Sequence, residues 1–450
     1  MEINTAIVAG TGKSGISATK LLVNHGVKVY LFDENKDRDI EAIKEKTGDS
    51  ELVQIELGEL GEDALSSSQL MVISPGIPVD APFTDVVRNA GIPIWSEIEL
   101  AYHYGKGKIA AITGTNGKTT TTALVGEIVK AHNAKTIVVG NIGIPYTELC
   151  DTTDDDSDTV AEISSFQLET VIDFHPNVSA ILNLTPDHLN RHYTFENYGN
   201  VKFSITKNQT MDDVTVLNYD DEHTRAMGEK AKDHCHVVYF SRLEKPAGGV
   251  YVEDGDIILE DGDKKINVLA IKDLKLMGAH NVENVLAAVG ISYYMGVPVD
   301  VIRDVATSFK AVAHRIEYVD TIDGVAYYND SKGTNPDAAI KGIQAMVAPT
   351  FLIGGGYDKG SEYDEWIEAF DGKVKWLVLI GQTAQKIADC AKRHGFNSII
   401  FEENLQDAVA YCHENAVDGD AVLLSPACAS WGQFDNYEQR GVMFKEYVRS

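Results

Sequence analysis

The feature that most constrains the fold is a strand, a glycine loop and a helix that follow one another between Ile109 and Val129. The apolar run "IAAIT" predicts a buried strand, and "TTALVGEIV" has the spacing of an amphipathic helix. Between them "GTNGKT" places backbone N–H groups and a helix N-terminus around an anion. This predicts a phosphate loop in which Lys118 reaches terminal phosphates and Thr119 binds Mg²⁺. The loop residues expected at the phosphates are Gly114, Thr115, Asn116, Gly117, Lys118, Thr119 and Thr120.

A second glycine turn, "GTGKSG", follows the first predicted strand, and Asp33 and Glu34 end the next strand. The GxGxxG spacing is typical of dinucleotide-binding domains and, taken alone, predicts an NAD-dependent dehydrogenase. The glycines and the helix N-terminus, however, require only the close approach of a diphosphate. A UDP-sugar therefore satisfies the turn as well as NAD does.

Strands alternate with helical stretches along the whole chain, which predicts an α/β protein. The pattern begins as a βαβ unit and restarts twice, so we expect three α/β domains over residues 1–93, 94–311 and 312–450. Within the second domain, "GGVYVEDGDIILEDGDKKINVLAI" carries Asp-Gly turns between alternating runs and predicts β-hairpins.

Charge and composition exclude several classes of protein. The 39 basic against 68 acidic residues give a formal net charge of −29, which opposes binding to nucleic acid or to an anionic membrane. No apolar run approaches the roughly 20 residues of a membrane span, and the N-terminus lacks the features of a signal peptide, so we expect a cytoplasmic protein. Five cysteines without CxxC pairing argue against disulfides or a zinc knuckle.

Polar residues end two predicted strands near the phosphate loop. Glu162 closes "TVAEIS", and His188 lies in "NLTPDHLNRH" just beyond "VSAILNL". The carboxyl ends of parallel strands deliver side chains to one crevice. A carboxylate and an imidazole beside a phosphate loop suggest metal ligation, although Mg²⁺ prefers oxygen ligands.

Ordered motifs over essentially the entire chain resemble the Mur ligases, and among them the enzymes that add D-glutamate to UDP-N-acetylmuramoyl-L-alanine. The matching stretches are "GTNGKTT", "GNIG", "EISSFQLE", "LNLTPDHLNRH", "YGNVKFSI", "GAHNVENVLAA", "AHRIEYV", "YNDSKGTNP" and "LSPACASWGQFDNYEQRG". The resemblance implies an ATP-dependent amide ligase of peptidoglycan synthesis that works through an acyl phosphate. It also implies a Rossmann-like UDP-binding domain, a central P-loop ATPase-type domain with a mostly parallel sheet, and a Rossmann-like C-terminal domain.

The same resemblance assigns the catalytic centre to Lys118, His188 and Lys202. It implies two Mg²⁺ ions, one held by Thr119 and Glu162 and the other by His188, with Lys202 carbamylated so that it faces the metals as a carboxylate. From its position alone, Lys202 is expected to be an ordinary solvated helix lysine.

The remaining assignments also rest on the resemblance. Further ATP contacts are Asn141, Asn284, His314, Arg315, Asp330 and Lys332. Arg315 and Lys332 come from the third domain, so their reach to ATP implies domain closure at a hinge near Ala311–His314. The D-glutamate pocket is Thr334, Lys359, Ser430 and Tyr437. The UDP contacts are Ser14, Gly15, Asp33, Glu34, Ser74 and Gly76. The expected partners are these small molecules alone, bound by a monomer.

Three alternatives stay open at this point. Another Mur ligase or a folylpolyglutamate synthase shares the ATP machinery, although "NDSKGTNP" stands where the diaminopimelate-adding enzymes carry a "DNPR"-like motif. An NAD-dependent dehydrogenase accounts for "GTGKSG". A non-catalytic ATP-binding regulator is disfavoured because Lys118, Glu162, His188 and Lys202 are all present.

Overall fold

The computed structural model describes residues 3–141, 143–276, 278–310 and 313–450. Ala311 and Val312, at which we predicted a domain limit and the start of a hinge, lie outside these ranges. The chain divides into two compact units, Met1–Asp273 with Glu283–Thr307 and Leu274–Val282 with Ser308–Ser450.

The first unit begins with a five-stranded parallel sheet in the order β3-β2-β1-β4-β5. The order reverses between β1 and β4, where an open α/β sheet forms a ligand crevice, so the predicted Rossmann-like domain is confirmed. β5 pairs with β4, and this sheet therefore extends three residues past the predicted limit at residue 93. Its elements are β1 (Thr5–Ala9), α1 (Lys13–Asn24), β2 (Lys28–Asp33), α2 (Ile40–Thr47), β3 (Val53–Leu57), α3 (Glu62–Ser67), β4 (Leu70–Ile73), α4 (Pro82–Asn89), β5 (Ile94–Ser96) and α5 (Glu97–Tyr104).

The first unit continues with a nine-stranded sheet in the order β14-β13-β12-β11-β10-β9-β6-β8-β7. Pairing is parallel from β7 to β12 and antiparallel across β12, β13 and β14, which confirms the predicted hairpins. The elements are β6 (Lys108–Thr113), α6 (Lys118–His132), β7 (Ile137–Gly140), α7 (Tyr146–Leu149), β8 (Asp158–Glu162), α8 (Ser165–Leu168), β9 (Val178–Ile181), α9 (Leu189–His192), α10 (Phe195–Phe203), β10 (Val214–Asn218), α11 (Glu222–Ala231), β11 (His236–Ser241), β12 (Gly249–Glu253), β13 (Asp256–Asp261), β14 (Lys264–Ala270), α12 (Ala279–Tyr294) and α13 (Val299–Ser308). The first four residues of α12 and the last residue of α13 are counted with the second unit.

The second unit contains a six-stranded sheet in the order β15-β16-β20-β17-β18-β19, which is parallel except for the β15–β16 pair. The loops that follow β16, β17 and β20 therefore emerge at one edge of the sheet. The elements are β15 (Glu317–Ile322), β16 (Val325–Asn329), α14 (Pro336–Ala345), β17 (Thr350–Gly354), α15 (Asp364–Glu368), β18 (Val374–Leu379), α16 (Ala384–Arg393), β19 (Ile399–Phe401), α17 (Leu405–Asn415), β20 (Ala421–Leu424) and α18 (Tyr437–Arg449).

Apolar side chains cover both faces of the sheets and form the cores. Strands buried on both faces, such as β1, β4, β17 and β20, are continuous apolar runs in the sequence, as parallel sheets covered by helices require. All five cysteines are buried free thiols, which agrees with the expected absence of disulfides. Among the described residues, no helix combines the length and apolar character that crossing a membrane demands.

Candidate active site

The phosphate loop lies where the sequence predicts it, between the end of β6 and the start of α6. Gly117 caps α6 with a φ of 82°, a left-handed conformation that glycine adopts without strain. A Cβ atom at Gly117 would lie 2.3 Å from Asn284 Oδ1. Asn284, a predicted nucleotide contact, therefore packs directly against this loop, and its close approach is a second reason for glycine at position 117.

Two residues that the sequence analysis did not assign hold the loop in place. Asn183, in the segment after β9, accepts from the Asn116 amide through Oδ1 at 2.8 Å and donates from Nδ2 to the Asn116 carbonyl at 3.1 Å. Tyr198, on α10, has its hydroxyl 3.1 Å from Thr115 Oγ1. Asn183 is the polar residue that directly follows the apolar run "AIL", so its position at a strand end was the available signal.

Two lysine ammonium groups converge on one carbonyl oxygen of the loop. Lys118 Nζ donates to the Gly114 and Thr115 carbonyls at 2.8 Å each, and Lys202 Nζ donates to the Gly114 carbonyl at 2.9 Å. The Lys202 side chain is only 1% exposed, so the expectation of a solvated lysine from position alone is wrong. Burial, followed by the charge of Lys118, lowers the pKa of Lys202 well below its usual value.

Glu162 is a buried carboxylate with one unsatisfied oxygen. Its Oε1 accepts from Asn141 Nδ2 at 2.8 Å, whereas Oε2 is buried without a hydrogen-bond partner. The backbone amide of Asn141 also donates to the backbone carbonyl of Glu162 at 2.8 Å. Asn141, predicted as a nucleotide contact, therefore holds Glu162 in position. Because a buried unpaired carboxylate oxygen is costly, the free Oε2 of Glu162 fits a cation such as Mg²⁺. Thr119, the predicted second ligand, is buried in the first turn of α6, and its role stays a prediction.

His188 occupies the turn before α9 with a φ of 52° and remains half exposed. Its Nε2 lies 3.5 Å from Asp187 Oδ2, and its ring packs against Phe166 with the centroids 4.9 Å apart. Among the described residues, neither His188 nor Glu162 belongs to a group of three closely spaced His, Cys, Asp or Glu ligands. A second metal at His188 therefore stays a prediction.

A cavity of about 370 Å³ opens where the strand order of the first sheet reverses. Gly15 lies beside it, where a Cβ atom would meet the Gly10 carbonyl oxygen at 1.8 Å, which explains the third glycine of the turn. The structure thus brings the predicted UDP contacts together, and the cavity is lined by Ser14, Asp33, Glu34, Ser74 and Gly76.

The Asp33 carboxylate organises the glycine turn from within. It accepts from Thr11 N at 3.1 Å, Thr11 Oγ1 at 2.6 Å, Asn35 N at 3.0 Å and Arg38 Nε at 3.2 Å. Burial raises the pKa of Asp33, but the hydrogen bonds from Thr11 and Asn35 outweigh it and leave the pKa below its ordinary value. Three of the four donors reach Oδ2 and one reaches Oδ1, so this carboxylate fixes the shape of the turn.

In the second unit, a buried polar cluster surrounds the loop after β16. His314 has a φ of 65°, and its ring nitrogen Nδ1 lies 3.0 Å from Asn329 Nδ2. The backbone amide of His314 donates to Glu317 Oε2 at 2.9 Å. Arg315 Nε is buried without a hydrogen-bond partner. An unsatisfied guanidinium nitrogen beside this loop fits an anionic group of a ligand.

Asp330 accepts from Ser425 Oγ at 2.7 Å and from the Ile316 amide at 3.3 Å. Burial raises its pKa to about 7, although these hydrogen bonds and the positive charges of Arg315 and Arg440 act in the opposite direction. Asp330 therefore keeps its proton to a higher pH than an exposed aspartate does.

Arg440 has a structural role in this unit that the sequence does not predict. Its side chain is 1% exposed and donates to Ser331 Oγ at 2.9 Å, to the Ser331 carbonyl at 2.8 Å and to the Cys428 carbonyl at 3.2 Å. It thus fastens the loop after β16 to the loop after β20. Arginine within "NYEQRG" carries no local signal of burial.

The four residues predicted to bind D-glutamate lie at four places: Thr334 after β16, Lys359 after β17, Ser430 after β20 and Tyr437 at the start of α18. Tyr357 pairs with Ala429 in an isolated antiparallel bridge, and Lys359 Nζ lies 5.0 Å from the centroid of the exposed Trp431 ring, next to Ser430. Ser331 Oγ donates to the Tyr437 carbonyl at 2.8 Å, and the Thr334 amide donates to the Lys332 carbonyl at 2.8 Å. These contacts join the segments that carry the predicted residues, and Lys359 is exposed; the pocket itself stays a prediction.

The raised pKa of Asp330 predicts a specific pH dependence of stability. The folded protein holds this proton more tightly than the unfolded chain, whose pKa is 3.8, so the contribution to the free energy of unfolding is greatest below pH 3.8 and declines towards pH 7. We expect Asp330→Asn to remove this decline, so the slope against pH between about 4 and 7 changes by roughly one proton. Urea titrations followed by fluorescence measure it, because Trp366, Trp376 and Trp431 lie in this unit. The half-exposed Asp320→Asn is the control, and equal slopes in Asp330→Asn and wild type would refute the assignment.

Comparison with known proteins gives a consistent result over the full length. The Mur ligase MurD-like N-terminal domain matches residues 4–96, the Mur ligase middle domain residues 112–292, and the Mur ligase glutamate ligase domain residues 314–428. The UDP-N-acetylmuramoylalanine--D-glutamate ligase of Lachnospira eligens is 56% identical over 100% of this chain and 99% of the relative. The enzyme of the same name from Clostridioides difficile is 46% identical over 99% of this chain and 98% of the relative.

Solved structures share the fold at low sequence identity. UDP-N-acetylmuramate-alanine ligase MurC from Thermotoga maritima has a TM-score of 0.61 at 19% identity and covers 100% of this chain and 99% of that one. MurF from Acinetobacter baumannii has a TM-score of 0.62 at 16% identity and covers 99% and 93%. MurF ligase from Thermotoga maritima, solved in complex with ADP, has a TM-score of 0.58 and covers 99% and 95%.

Proposed function

This chain belongs to the Mur ligase family, and we propose that it is the ATP-dependent ligase that joins D-glutamate to UDP-N-acetylmuramoyl-L-alanine. The observation that carries the proposal is the 56% identity to an enzyme of that name over the full length of both chains. The reaction makes an amide bond of a peptidoglycan precursor, and its ATP and nucleotide-sugar substrates place it in the cytoplasm.

The chemistry explains why ATP is needed. A carboxylate is a poor acyl donor because its leaving group is oxide. The alanyl carboxylate oxygen therefore attacks the terminal phosphorus of ATP, and ADP leaves, which gives an acyl phosphate. The D-glutamate amine then attacks the acyl carbon, inorganic phosphate leaves, and the amine proton passes to solvent or a base.

The phosphate loop supplies positive potential where charge develops. Lys118 and the N-terminus of α6 stabilise the transferring phosphoryl group, and positioning and charge neutralisation account for most of such catalysis. Mg²⁺, when bound by Thr119 and the free oxygen of Glu162, supplies further neutralisation of the phosphates. A second ion at His188 belongs to the same proposal.

Lys202 fits a carbamylated state. A buried ammonium beside Lys118 is repelled, and it would also repel two metal ions. Its neutral amine can attack CO₂ to form a carbamate, with loss of a proton to solvent, which leaves a negative charge where an ammonium would carry a positive one. The support for this step is the burial of Lys202, its lowered pKa and its contact with the loop at Gly114.

The UDP moiety is assigned to the cavity beside the glycine turn, because this cavity gathers Ser14, Asp33, Glu34, Ser74 and Gly76. The role assigned to Asp33 in UDP binding is indirect, because its carboxylate holds the glycine turn in place. The ATP contacts of His314, Arg315, Asp330 and Lys332, the closure that they imply and a monomeric state stay predictions. The charge of −29 supports a protein without nucleic-acid partners.

Lys359 is assigned to the side-chain carboxylate of D-glutamate. A charge-assisted hydrogen bond contributes about 1.5–3 kcal/mol, so Lys359→Ala should raise the KM for D-glutamate by about ten- to a hundredfold. ATP affinity without amino acid should hardly change. The control is Lys386→Ala, which removes a nearby ammonium 3.9 Å from both Asp358 and Glu362. A fall in ATP affinity without a change in the KM for D-glutamate would move Lys359 to the nucleotide site.

The proposal is tested by phosphate release from ATP with UDP-N-acetylmuramoyl-L-alanine and a panel of amino acids. We expect release only with Mg²⁺, ATP, the nucleotide precursor and D-glutamate together. A preference for another amino acid, or for a folate acceptor, would assign the chain to another branch of the family. A nicotinamide absorbance change on mixing with NAD and substrate would instead support the dehydrogenase alternative.

A further inference from the structure

A cluster of potential metal ligands lies on α15 and α16 of the second unit, outside every site described above. Cys390 lies in the last turns of α16, and His394, four residues further on, caps the C-terminus of that helix, so the two side chains lie on the same side of it. Asp364 begins α15, and its carboxylate faces the same point. The thiol, imidazole and carboxylate ligand atoms of these three residues lie within 4.8 Å of one another.

The donor set selects the class of metal. A thiolate, an imidazole nitrogen and a carboxylate oxygen are the ligands of Zn²⁺, whereas Mg²⁺ and Ca²⁺ take oxygen ligands. We propose that Asp364, Cys390 and His394 form a Zn²⁺ site that joins α15 to α16, with water in the fourth position. This site is separate from the proposed Mg²⁺ ligands of the phosphate loop.

Zn²⁺ binding would move the three ligand atoms, which now lie within 4.8 Å of one another. With Zn²⁺ bonds of 2.0–2.3 Å, the ligand atoms of a tetrahedral site are about 3.3–3.8 Å apart. His394 Nε2 now lies 2.8 Å from Asp364 Oδ1, so metal entry would open this contact by roughly half an ångström. Cys390 is buried, while Asp364 and His394 are partly exposed, which gives the ion a path from solvent.

A fourth residue has the geometry of an orienting group. The second ring nitrogen of His394, Nδ1, lies 3.7 Å from Glu368 Oε1, one helical turn along α15 from Asp364. Histidines that bind metal commonly donate their other N–H group to a carboxylate, which fixes the ring and the tautomer. Glu368 is therefore assigned as a positioning residue, since it reaches the metal only through His394.

On balance, the charges around the three ligands favour a bound cation. Arg393 Nη2 lies 3.5 Å from Asp364 Oδ1 and competes for that oxygen, but its side chain is 60% exposed and can turn into solvent. Asp364 and Glu368 together offset it with two negative charges. The Cys390 thiol loses its proton to the buffer as the sulfur–metal bond forms, so binding strengthens as the pH rises.

A second cluster in the first unit provides a contrast. Glu99, His103 and Asp173 also hold their ligand atoms within 4.8 Å. The Glu99 carboxylate, however, already accepts from the backbone amides of residues 172, 173 and 174 at 2.7–3.0 Å. Glu99 therefore anchors a loop, and the cluster serves as a matched control.

The site is tested on the full-length protein, freed of metal with a chelator and titrated with Co²⁺ as a spectroscopic substitute for Zn²⁺. We expect one Co²⁺ per chain to produce thiolate-to-cobalt charge-transfer absorption in the near ultraviolet, and Zn²⁺ to displace it. Cys390→Ser should abolish this band, and Glu368→Gln should weaken Co²⁺ affinity by about tenfold or more. Mg²⁺ at the same concentration should produce no displacement.

Two controls keep the result interpretable. Cys412→Ser, which removes another buried thiol of the same domain, and His103→Ala should leave the band and the affinity unchanged. Zn²⁺ should also raise the unfolding temperature of the wild type more than that of folded Cys390→Ser, because binding to the native state alone stabilises it. The site is refuted by a wild-type protein without the band, or by a band that survives in Cys390→Ser.

Discussion

Lys118→Ala is expected to reduce turnover by about a hundred- to a thousandfold while the protein stays folded. The Lys118 ammonium donates to the Gly114 and Thr115 carbonyls of the loop at 2.8 Å. When ATP binds, it can exchange these hydrogen bonds for hydrogen bonds to the phosphates. Loss of one group that stabilises developing charge costs about 3–4 kcal/mol in the transition state. Phosphate release under saturating substrates measures the effect, and circular dichroism checks the fold.

Lys130→Ala is the matched control, because Lys130 is an exposed lysine in the last turn of the same helix. It should retain wild-type turnover. The Lys118 variant should also raise the pKa of Lys202, since the charge of Lys118 is the second-largest cause that lowers it. Near-normal turnover in Lys118→Ala would remove the loop from the mechanism.

Lys202→Met is expected to lower turnover by about a hundredfold or more, although methionine fills a similar buried volume. The variant has no amine and cannot form the carbamate that we assign to the metal side of the site. Exposed Lys207→Met, five residues along the chain, should leave turnover unchanged. Turnover of the wild type should in addition fall in buffers depleted of CO₂ and recover when bicarbonate is restored.

The carbamate itself is observable by ¹³C NMR of protein equilibrated with labelled bicarbonate. A carbamate signal should be present in the wild type and absent in Lys202→Met. The reaction consumes the neutral amine, so the signal should decline as the pH falls through the lowered pKa of Lys202. A fully active wild-type protein without this signal, insensitive to CO₂, would contradict the assignment.

Much of the fold follows from local patterns. The strand, loop and helix at Lys118 and the Asp-Gly hairpins of β12–β14 depend on residues close in sequence, so periodicity and turn chemistry predict them. The crevice beside Ser74 is predicted by the general rule that ligands bind where the strand order of an open parallel sheet reverses. The residues next to Ser74 in sequence do not predict it.

What the sequence does not predict depends on contacts between distant segments. Lys202 and Arg440 are cationic residues in helices, and only the packing of other elements around them buries their side chains. Asn141 donates from its side-chain amide to Glu162, which is 21 residues away. The local sequence predicts a polar contact at Asn141 but does not indicate whether its partner is this carboxylate or the nucleotide. Asp364, the third ligand of the proposed Zn²⁺ site, likewise lies 26 residues from Cys390 and 30 from His394.

The attachment of the phosphate loop to Asn183 and Tyr198 has a consequence for how the protein acquires its activity during folding. These hydrogen bonds join residues 67 and 83 positions apart in sequence, so the loop reaches its binding shape only after β9 and α10 have docked beside β6. Contacts of such long sequence separation form slowly, because the intervening chain must first be ordered. ATP therefore cannot template an early intermediate, and a nascent chain that ends before α10 would carry the complete "GTNGKT" motif without a competent nucleotide site.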